Sequence, residues 1–245
     1  MTVALLSIGS ELLQGEIANT NGQWLAEQLT ELGFHVHSIA TVGDERSAIV
    51  ATLARLMASH DLVIVTGGLG PTSDDITSAA AAELSGVDLE VNQDALMAIR
   101  SRLRQLEIEH SAGHDKQALF PAGSEMLPNS VGTAPGFVSA TGKAFFLPGV
   151  PREMEAMFEH QVVPRIRDRA ANDSYQIVLH TYRAAESWLA ERLDDIEATF
   201  PRVTLSYRAK SPDVDVKITA RGADPADARD RAEAAAEAVR ERIGP

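Results

Sequence analysis

Short apolar runs alternate with stretches of helical period along the first two thirds of the chain. Residues 3–8, 34–42, 62–65 and 144–147 read as strands. Leu62-Val63-Ile64-Val65 is apolar throughout and mostly β-branched, as a strand buried on both faces of a parallel sheet requires. Between the strands, Leu25/Leu29/Leu32, closed by Gly33, and Ile49/Leu53/Leu56/Met57 recur at helical spacing. Leu96/Ile99/Leu103/Leu106 trace a further helix capped by Asn92. Pro151 opens another, whose inner face is Met154, Met157, Phe158 and Val162 and which Pro164 bends or ends. Strand–helix alternation predicts βαβ units with right-handed crossovers around a mainly parallel sheet. The polar residues 107–123 read as a solvated loop, and His110, His114 and Asp115 within it lack the helical context of a metal site.

After a polar stretch at residues 165–174 the pattern changes. Ile177-Val178-Leu179 is a strand, Leu189/Leu193/Ile196 mark a helix, and Val203/Leu205/Tyr207 and Val214/Val216/Ile218/Ala220 alternate as half-wet strands do. Asp224-Pro225 starts a last helix with Ala228, Ala232, Ala235, Val239 and Ile243 inside. The expectation is an α/β domain over residues 1–170 and a small α+β domain, β-α-β-β-α, over 175–245.

Composition narrows the classes. The chain has 245 residues, no cysteine and a net charge of −13. That charge argues against a nucleic-acid surface, and the missing cysteines remove disulfides, thiol nucleophiles and thiolate metal sites. Met1 to Gly9 runs without a basic leader into Glu11 and reads as a strand, and no apolar run approaches membrane length. A cytoplasmic protein without membrane contact is expected.

The chemistry concentrates in Thr66-Gly67-Gly68-Leu69-Gly70-Pro71-Thr72-Ser73-Asp74-Asp75-Ile76-Thr77. The glycines let the backbone turn tightly and approach a ligand. Thr72 or Ser73 is placed to cap a helix whose first turn holds Asp74 and Asp75. Two readings stand: a capped helix and nothing more, or an anion site at a strand–turn–helix junction. It lacks the Gly-Lys-Ser/Thr of a Walker A loop, and the two aspartates suit a phosphate site that takes a metal. Ser10-Glu11 leaves another strand end, so both loops line one crevice at the carboxyl edge of the sheet.

Several segments together resemble the CinA family, the competence/damage-inducible proteins. They are Ile8-Gly9-Ser10-Glu11-Leu12-Leu13 with Gly15 and Asn19-Thr20-Asn21; Val42-Gly43-Asp44; the 66–77 loop; Lys116-Gln117-Ala118; Val131-Gly132-Thr133-Ala134-Pro135-Gly136-Phe137; and Leu147-Pro148-Gly149-Val150-Pro151 with Glu153-Met154 and Met157-Phe158. The resemblance implies a three-layer α/β/α molybdopterin-binding-like fold with a mainly parallel sheet, followed by a KH-like domain. It further implies a metal-dependent pyrophosphatase that converts ADP-ribose to AMP and ribose 5-phosphate, stimulated by K⁺. Full-length members add a nicotinamide mononucleotide deamidase domain, which is not expected within these residues. Asn19 stands where molybdopterin-transfer relatives carry Asp, and the family's Gly-Glu-Ser appears as Ala185-Glu186-Ser187. The KH-like part has no Gly-x-x-Gly clamp, so a structural or dimerisation role is expected and nucleic acid is not.

On this resemblance Asp75, Glu11 and Lys116 are the catalytic candidates. Asp75, Asp74 and Glu11 would hold Co²⁺, Mg²⁺ or Mn²⁺, and Lys116 would face the departing phosphate. The N–H groups of residues 67–70 and a helix starting near Ser73 would grip phosphate. Ser10, Asn19, Asn21, Thr66, Gly67, Gly68, Leu69, Gly70, Pro71, Thr72, Gly132, Thr133, Pro148 and Gly149 are the substrate-binding set. The partners expected are a small nucleotide and a second copy of the chain. The rival readings are a molybdopterin-binding protein and a non-catalytic interaction module.

Overall fold

The computed structural model describes residues 1–169, 174–210 and 212–244. The chain divides into two compact units, Met1–Ala170 and Ala171–Pro245.

In the first unit, β1 (Thr2–Ile8) leads through a one-turn helix α1 (Ser10–Leu13) to α2 (Thr20–Glu31) and β2 (His35–Val42). Next come α3 (Arg46–Ser59), β3 (Leu62–Thr66), α4 (Thr77–Ser85), β4 (Leu89–Val91) and α5 (Gln93–Gln105). Then follow α6 (Ala112–Lys116), β5 (Leu119–Pro121), β6 (Glu125–Leu127), β7 (Gly136–Val138) and β8 (Ala144–Leu147). The unit ends with α7 (Pro151–Met157), a π-helical turn at Phe158–Val162 and α8 (Val163–Ile166). The main sheet has the order β2-β1-β3-β8-β7-β6. Its first four strands are parallel and β7 and β6 are antiparallel additions.

Period-two geometry explains why central strands can be apolar at every position. Ala4, Leu6, Ile8, Val63 and Val65 face one way, against Ile49, Leu53 and Leu56 of α3 and Ile99 and Leu103 of α5. Val3, Leu5, Leu62 and Ile64 face the other, against Leu25 and Leu29 of α2 and Met154, Met157 and Phe158. Helices on both faces of a mainly parallel sheet make the expected α/β/α sandwich.

Four expectations for the first unit need correction. Residues 9–15 contain helix α1 rather than only loop. Residues 107–123 are not a solvated loop: they contain α6, started by a Ser111/His114 capping box, and β5, which pairs with β4 and buries Phe120. Single-residue polarity hid a helix whose capping residues are themselves polar. The helix after the glycine turn starts at Thr77, not near Ser73. In α5 the buried stripe is Ala95, Ile99 and Leu103, while Leu106 is exposed. Pro164, which has no N–H to give, sits just past the π-helical turn, and the chain stays helical through Ile166.

The second unit comprises β9 (Ser174–Thr181), α9 (Glu186–Arg192), α10 (Ile196–Thr199), β10 (Val203–Lys210), β11 (Asp213–Arg221) and α11 (Pro225–Ile243). Its antiparallel sheet has the order β10-β11-β9. Val214, Val216, Ile218 and Ala220 pack with Leu189, Leu193, Ile196 and the alanine stripe of α11. The one helix expected over 189–196 is two, α9 and α10, with Leu193 at the break. Among the described residues no helix is long and apolar enough to cross a membrane.

The Asp224 carboxylate caps α11 by accepting from the Ala226 and Asp227 N–H groups, each at 2.9 Å. Asp224→Ala should cost the second unit ~1 kcal/mol, and Asp224→Ser should recover most of it. Urea unfolding of a Trp24→Phe background, which leaves Trp188 as the sole tryptophan, measures this.

Candidate functional site

The parallel strands β1, β3 and β8 end at the same edge, at Ile8, Thr66 and Leu147. Their following loops meet at Gly67. Its N–H donates to the Leu147 carbonyl at 3.1 Å, and a Cβ there would collide with the Ile8 carbonyl oxygen. A Cβ on Gly149 would lie 3.4 Å from the Gly67 Cα. Gly67 and Gly68 both have positive φ, 98° and 67°, a conformation that side-chain-bearing residues rarely take.

The carbonyls of Gly67, Gly68 and Leu69 are anchored inward. Thr77 Oγ1 donates to Gly67 O at 2.9 Å, Thr77 N–H to Gly68 O at 3.1 Å, and Gln117 Nε2 to Leu69 O at 3.4 Å. Both anchoring residues are buried. A planar trans peptide points its N–H opposite to its C=O. The N–H groups of Gly68, Leu69 and Gly70 are therefore turned away from those buried anchors, and none of them has a hydrogen-bond partner among the described residues. Successive free N–H groups on a turn with left-handed glycines form an anion-binding concavity.

The acidic half of the loop follows. Asp75 Oδ2 accepts from the Thr72 N–H at 2.9 Å and the Thr72 hydroxyl at 2.6 Å, and that hydroxyl also lies 2.5 Å from Asp74 Oδ1. A Cβ on Gly70 would sit 2.5 Å from Asp75 Oδ2, so glycine there keeps the carboxylate against the nest. The Thr72 hydroxyl, the backbone and the Lys116 charge hold the Asp74 carboxyl below its ordinary range. This is the return half of a capping box with no helix behind it, because Thr77 has already turned its own N–H back on Gly68. No helix terminus stands near Ser73 as expected; the free N–H groups here belong to the glycine turn.

Helix α6 braces the loop. A Cβ on Gly113 would lie 2.5 Å from Pro71 O, Lys116 Nζ bonds the Thr72 carbonyl, and Gln117 holds Leu69. Lys116 is thus seated on the loop backbone.

Other candidates sort by what they touch. Ser10 and Asp44 exchange bonds, Ser10 N–H to Asp44 Oδ2 at 2.8 Å and Asp44 N–H to Ser10 Oγ at 3.1 Å, which ties the β1 and β2 loops. Asn19 caps α2 through Gly22 N–H, accepts from Ser7 Oγ at 3.0 Å and donates to Thr41 Oγ1 at 3.3 Å. Its polar atoms serve the fold. Asn21 Nδ2 holds Gly149 O at 2.7 Å, leaving its own Oδ1 buried and unpaired. Glu11 folds back over Gly9. Among the described residues no three acidic or histidine side chains gather as a metal cluster, so Glu11 does not complete a set with Asp74 and Asp75. Thr66 is buried at the end of β3. Pro148 and Gly149 follow β8 directly, and Gly132 lies under the Glu153 carboxylate.

Comparison with known proteins follows this geometry. Residues 4–168 match the family described as "Probable molybdopterin binding domain", and residues 176–245 match "Damage-inducible protein CinA KH domain". A crystal structure of the protein CinA with unknown function from Thermoplasma acidophilum is 34% identical, has a TM-score of 0.63 and covers 67% of this chain and 99% of that one. The chain belongs to the CinA family. A putative competence-damage inducible protein from Alkaliphilus metalliredigens is 39% identical over all of this chain and 60% of its own length. A CinA-like protein from Citrifermentans bemidjiense is 40% identical over 91% of this chain and 55% of its own length. The chain thus spans a little over half the length of these curated relatives.

For this CinA-family chain, a metal can be tested against the residues present. Asp74 and Asp75 offer adjacent carboxylates and the Thr72 hydroxyl lies between them, all hard oxygen donors in the same loop as the unpartnered N–H groups. That set fits Mg²⁺ or Mn²⁺, which bind through one or two carboxylates with water and ligand phosphate completing the shell. It does not form a closed cage.

Four residues here were not among the sequence candidates: Asp44, Gln117, Asn129 and Glu153. Three of them lie inside the CinA-like segments that carry the resemblance, and that placement was the available signal. Asn129 Nδ2 donates to Glu153 Oε2 at 2.7 Å and its Oδ1 accepts from Val131 and Gly132 N–H, each at 2.9 Å. The Glu153 carboxylate occupies the place a Cβ of Gly132 would need. Burial raises Glu153 above the ordinary 4.5, against the pull of the Asn129 bond and the Arg102 charge.

Two outcomes are expected. Gly68→Ala forces alanine into left-handed space and onto Thr77 Oγ1, and should cost ~2 kcal/mol or more in urea unfolding. A raised carboxyl favours the fold below its unfolded pKa and loses that contribution as pH climbs through its folded value. Glu153→Gln, which does not ionise, should therefore gain Tm on wild type as pH moves from about 4 to about 7, read by scanning calorimetry.

Proposed function

We propose that the first unit binds a phosphorylated small molecule of the molybdopterin type, with its phosphate on the N–H groups of Gly68, Leu69 and Gly70. The observation that carries this reading is the run of unpartnered N–H groups backed by inward-held carbonyls. The matched family description supports the same ligand class. The protein's net charge of −13 opposes any anion, so the site needs local compensation. The nest supplies part of it, and the Lys116 ammonium beside Thr72 supplies more.

A second reading rests on the Asp74–Asp75 pair. Carboxylates beside a phosphate nest repel an anionic ligand unless a cation lies between them. Asp75 and Asp74 would hold Mg²⁺, Mn²⁺ or Co²⁺, which when bound neutralises diphosphate charge and acidifies a coordinated water. Under this reading the ligand is a nucleotide diphosphate sugar, ADP-ribose, cleaved to AMP and ribose 5-phosphate. Gly68 to Gly70 then orient the diphosphate, and Lys116 and Thr72 keep the loop in place. Asn19 is committed to capping α2, which leaves the recognition of ribose or base to Asn21, Thr133 and the Pro148-Gly149 turn. For the second unit we propose a dimerisation role, since it lacks a nucleic-acid clamp.

The full chain should be titrated calorimetrically with a phosphorylated pterin, ADP-ribose and inorganic pyrophosphate, with and without Mg²⁺, and assayed for AMP. Wild type should bind a phosphate-bearing probe, and Asp75→Asn, which keeps an acceptor for Thr72, should weaken Mg²⁺-dependent binding roughly tenfold or more. AMP release assigns the hydrolytic reading, and pterin binding without AMP assigns the first. Absence of binding by every probe overturns both.

A further inference from the structure

One polar side chain at the edge of the site carries a buried oxygen that the fold leaves unpaired. Gln117 is 6% exposed, and among the described residues its Oε1 is buried without a partner and its side chain makes a single, long bond, Nε2 to Leu69 O at 3.4 Å. The carbonyl of Leu69 has to face the NH₂ end of the amide, so the orientation with Oε1 unpaired is the one the surroundings dictate. An unpaired buried acceptor destabilises; a methionine of similar shape removes it, and the Leu69 carbonyl, losing its donor, is left to turn toward water.

The same short segment touches the loop repeatedly. Gly113, Lys116 and Gln117 lie at helical spacing i, i+3 and i+4, and they meet Pro71, Thr72 and Leu69 respectively. Of these contacts, the one at Leu69 governs the nest. With the Leu69 carbonyl drawn toward the core, the Gly70 N–H in the same peptide plane points outward. Without that draw, the peptide is free to flip, because Gly70 imposes no side-chain barrier.

We propose that Gln117 is a positioning residue for phosphate binding. It holds the Leu69–Gly70 peptide in its ligand-binding orientation and is retained although its own oxygen stays unpaired. This inference rests on the phosphate-binding reading of the loop and extends it to a residue that touches no ligand.

The test compares full-length wild type and Gln117→Met by thermal unfolding and by calorimetric titration with inorganic pyrophosphate and Mg²⁺. The expected result is a Tm equal to wild type within about 2 °C, or higher, together with pyrophosphate affinity lower by roughly tenfold or more. A structural role moves the two readouts together, whereas a positioning role separates them. A fall in Tm of more than about 5 °C, or failure to fold, makes Gln117 a core residue and overturns the inference. An unchanged Tm with wild-type pyrophosphate binding also overturns it, and leaves the loop's ligand standing. Where wild type binds no pyrophosphate but does bind the phosphorylated pterin or ADP-ribose, that probe takes its place in the same comparison; where it binds none of the three, the phosphate-binding reading falls and this inference falls with it.

Discussion

The planarity of the peptide unit is the constraint on which this site depends. A C=O fixed on one side of a trans peptide commits the next N–H to the other side. Three consecutive carbonyls, at Gly67, Gly68 and Leu69, are fixed by buried donors on Thr77 and Gln117. The outward N–H groups of Gly68, Leu69 and Gly70 follow from that. Nothing else in the loop needs to be cationic for the turn to present partial positive charge. The arrangement is reachable only with glycine where φ is positive and where the Ile8 carbonyl crowds the backbone.

The rest of the first unit explains why those donors stay put. Thr77 begins α4, whose Ala80 and Ala81 sit in the core beneath β3 and β1. Gln117 directly follows α6 and precedes the buried Ala118 and Phe120. Both anchors are therefore extensions of the hydrophobic packing, and a shift in either helix would reach the loop as a rotated peptide. The parallel sheet adds the second constraint. Because β1, β3 and β8 run the same way, their exits lie at one edge, and the Leu147 carbonyl and the Ile8 carbonyl close on Gly67 from either side.

Sequence pattern made most of this legible where one physical period dominates. The strands at 62–66 and 144–147 and the helices on Leu25/Leu29 and Ile49/Leu53/Leu56 are set by burial, and burial is written in apolar spacing. The pattern failed where polar side chains bond locally. Ser111 and His114 start α6 by bonding each other's backbone, so a polar run concealed a helix. Thr72 and Asp75 look like a helix start and do form half of one, but Thr77 competes for the same turn and wins because its hydroxyl and N–H satisfy two buried carbonyls. Asn19 looked ligand-facing from its motif, yet three bonds to Ser7, Gly22 and Thr41 employ it inside the fold. For Gln117 and Glu153 the sequence offered only their place in CinA-like segments, because their contacts reach across 48 and 24 positions, which spacing does not encode.

An acidic protein that takes up an anion has to hold it with something other than net charge. Full cations placed in the loop would neutralise Asp74 and Asp75 directly, since like and opposite charges within a few ångströms outweigh distant fields. Peptide dipoles avoid that cancellation. They are fixed in direction, carry no net charge and are not satisfied by the neighbouring carboxylates, each of which turns one oxygen to Thr72. The nest and the acidic pair can then coexist within one short loop; on the proposed reading, one half takes phosphate and the other a cation that accompanies it. Discrimination follows from the same separation. On the proposed reading a free anion would meet the carboxylates uncompensated and a free cation would find too few ligands, so a phosphate and a metal would bind best together.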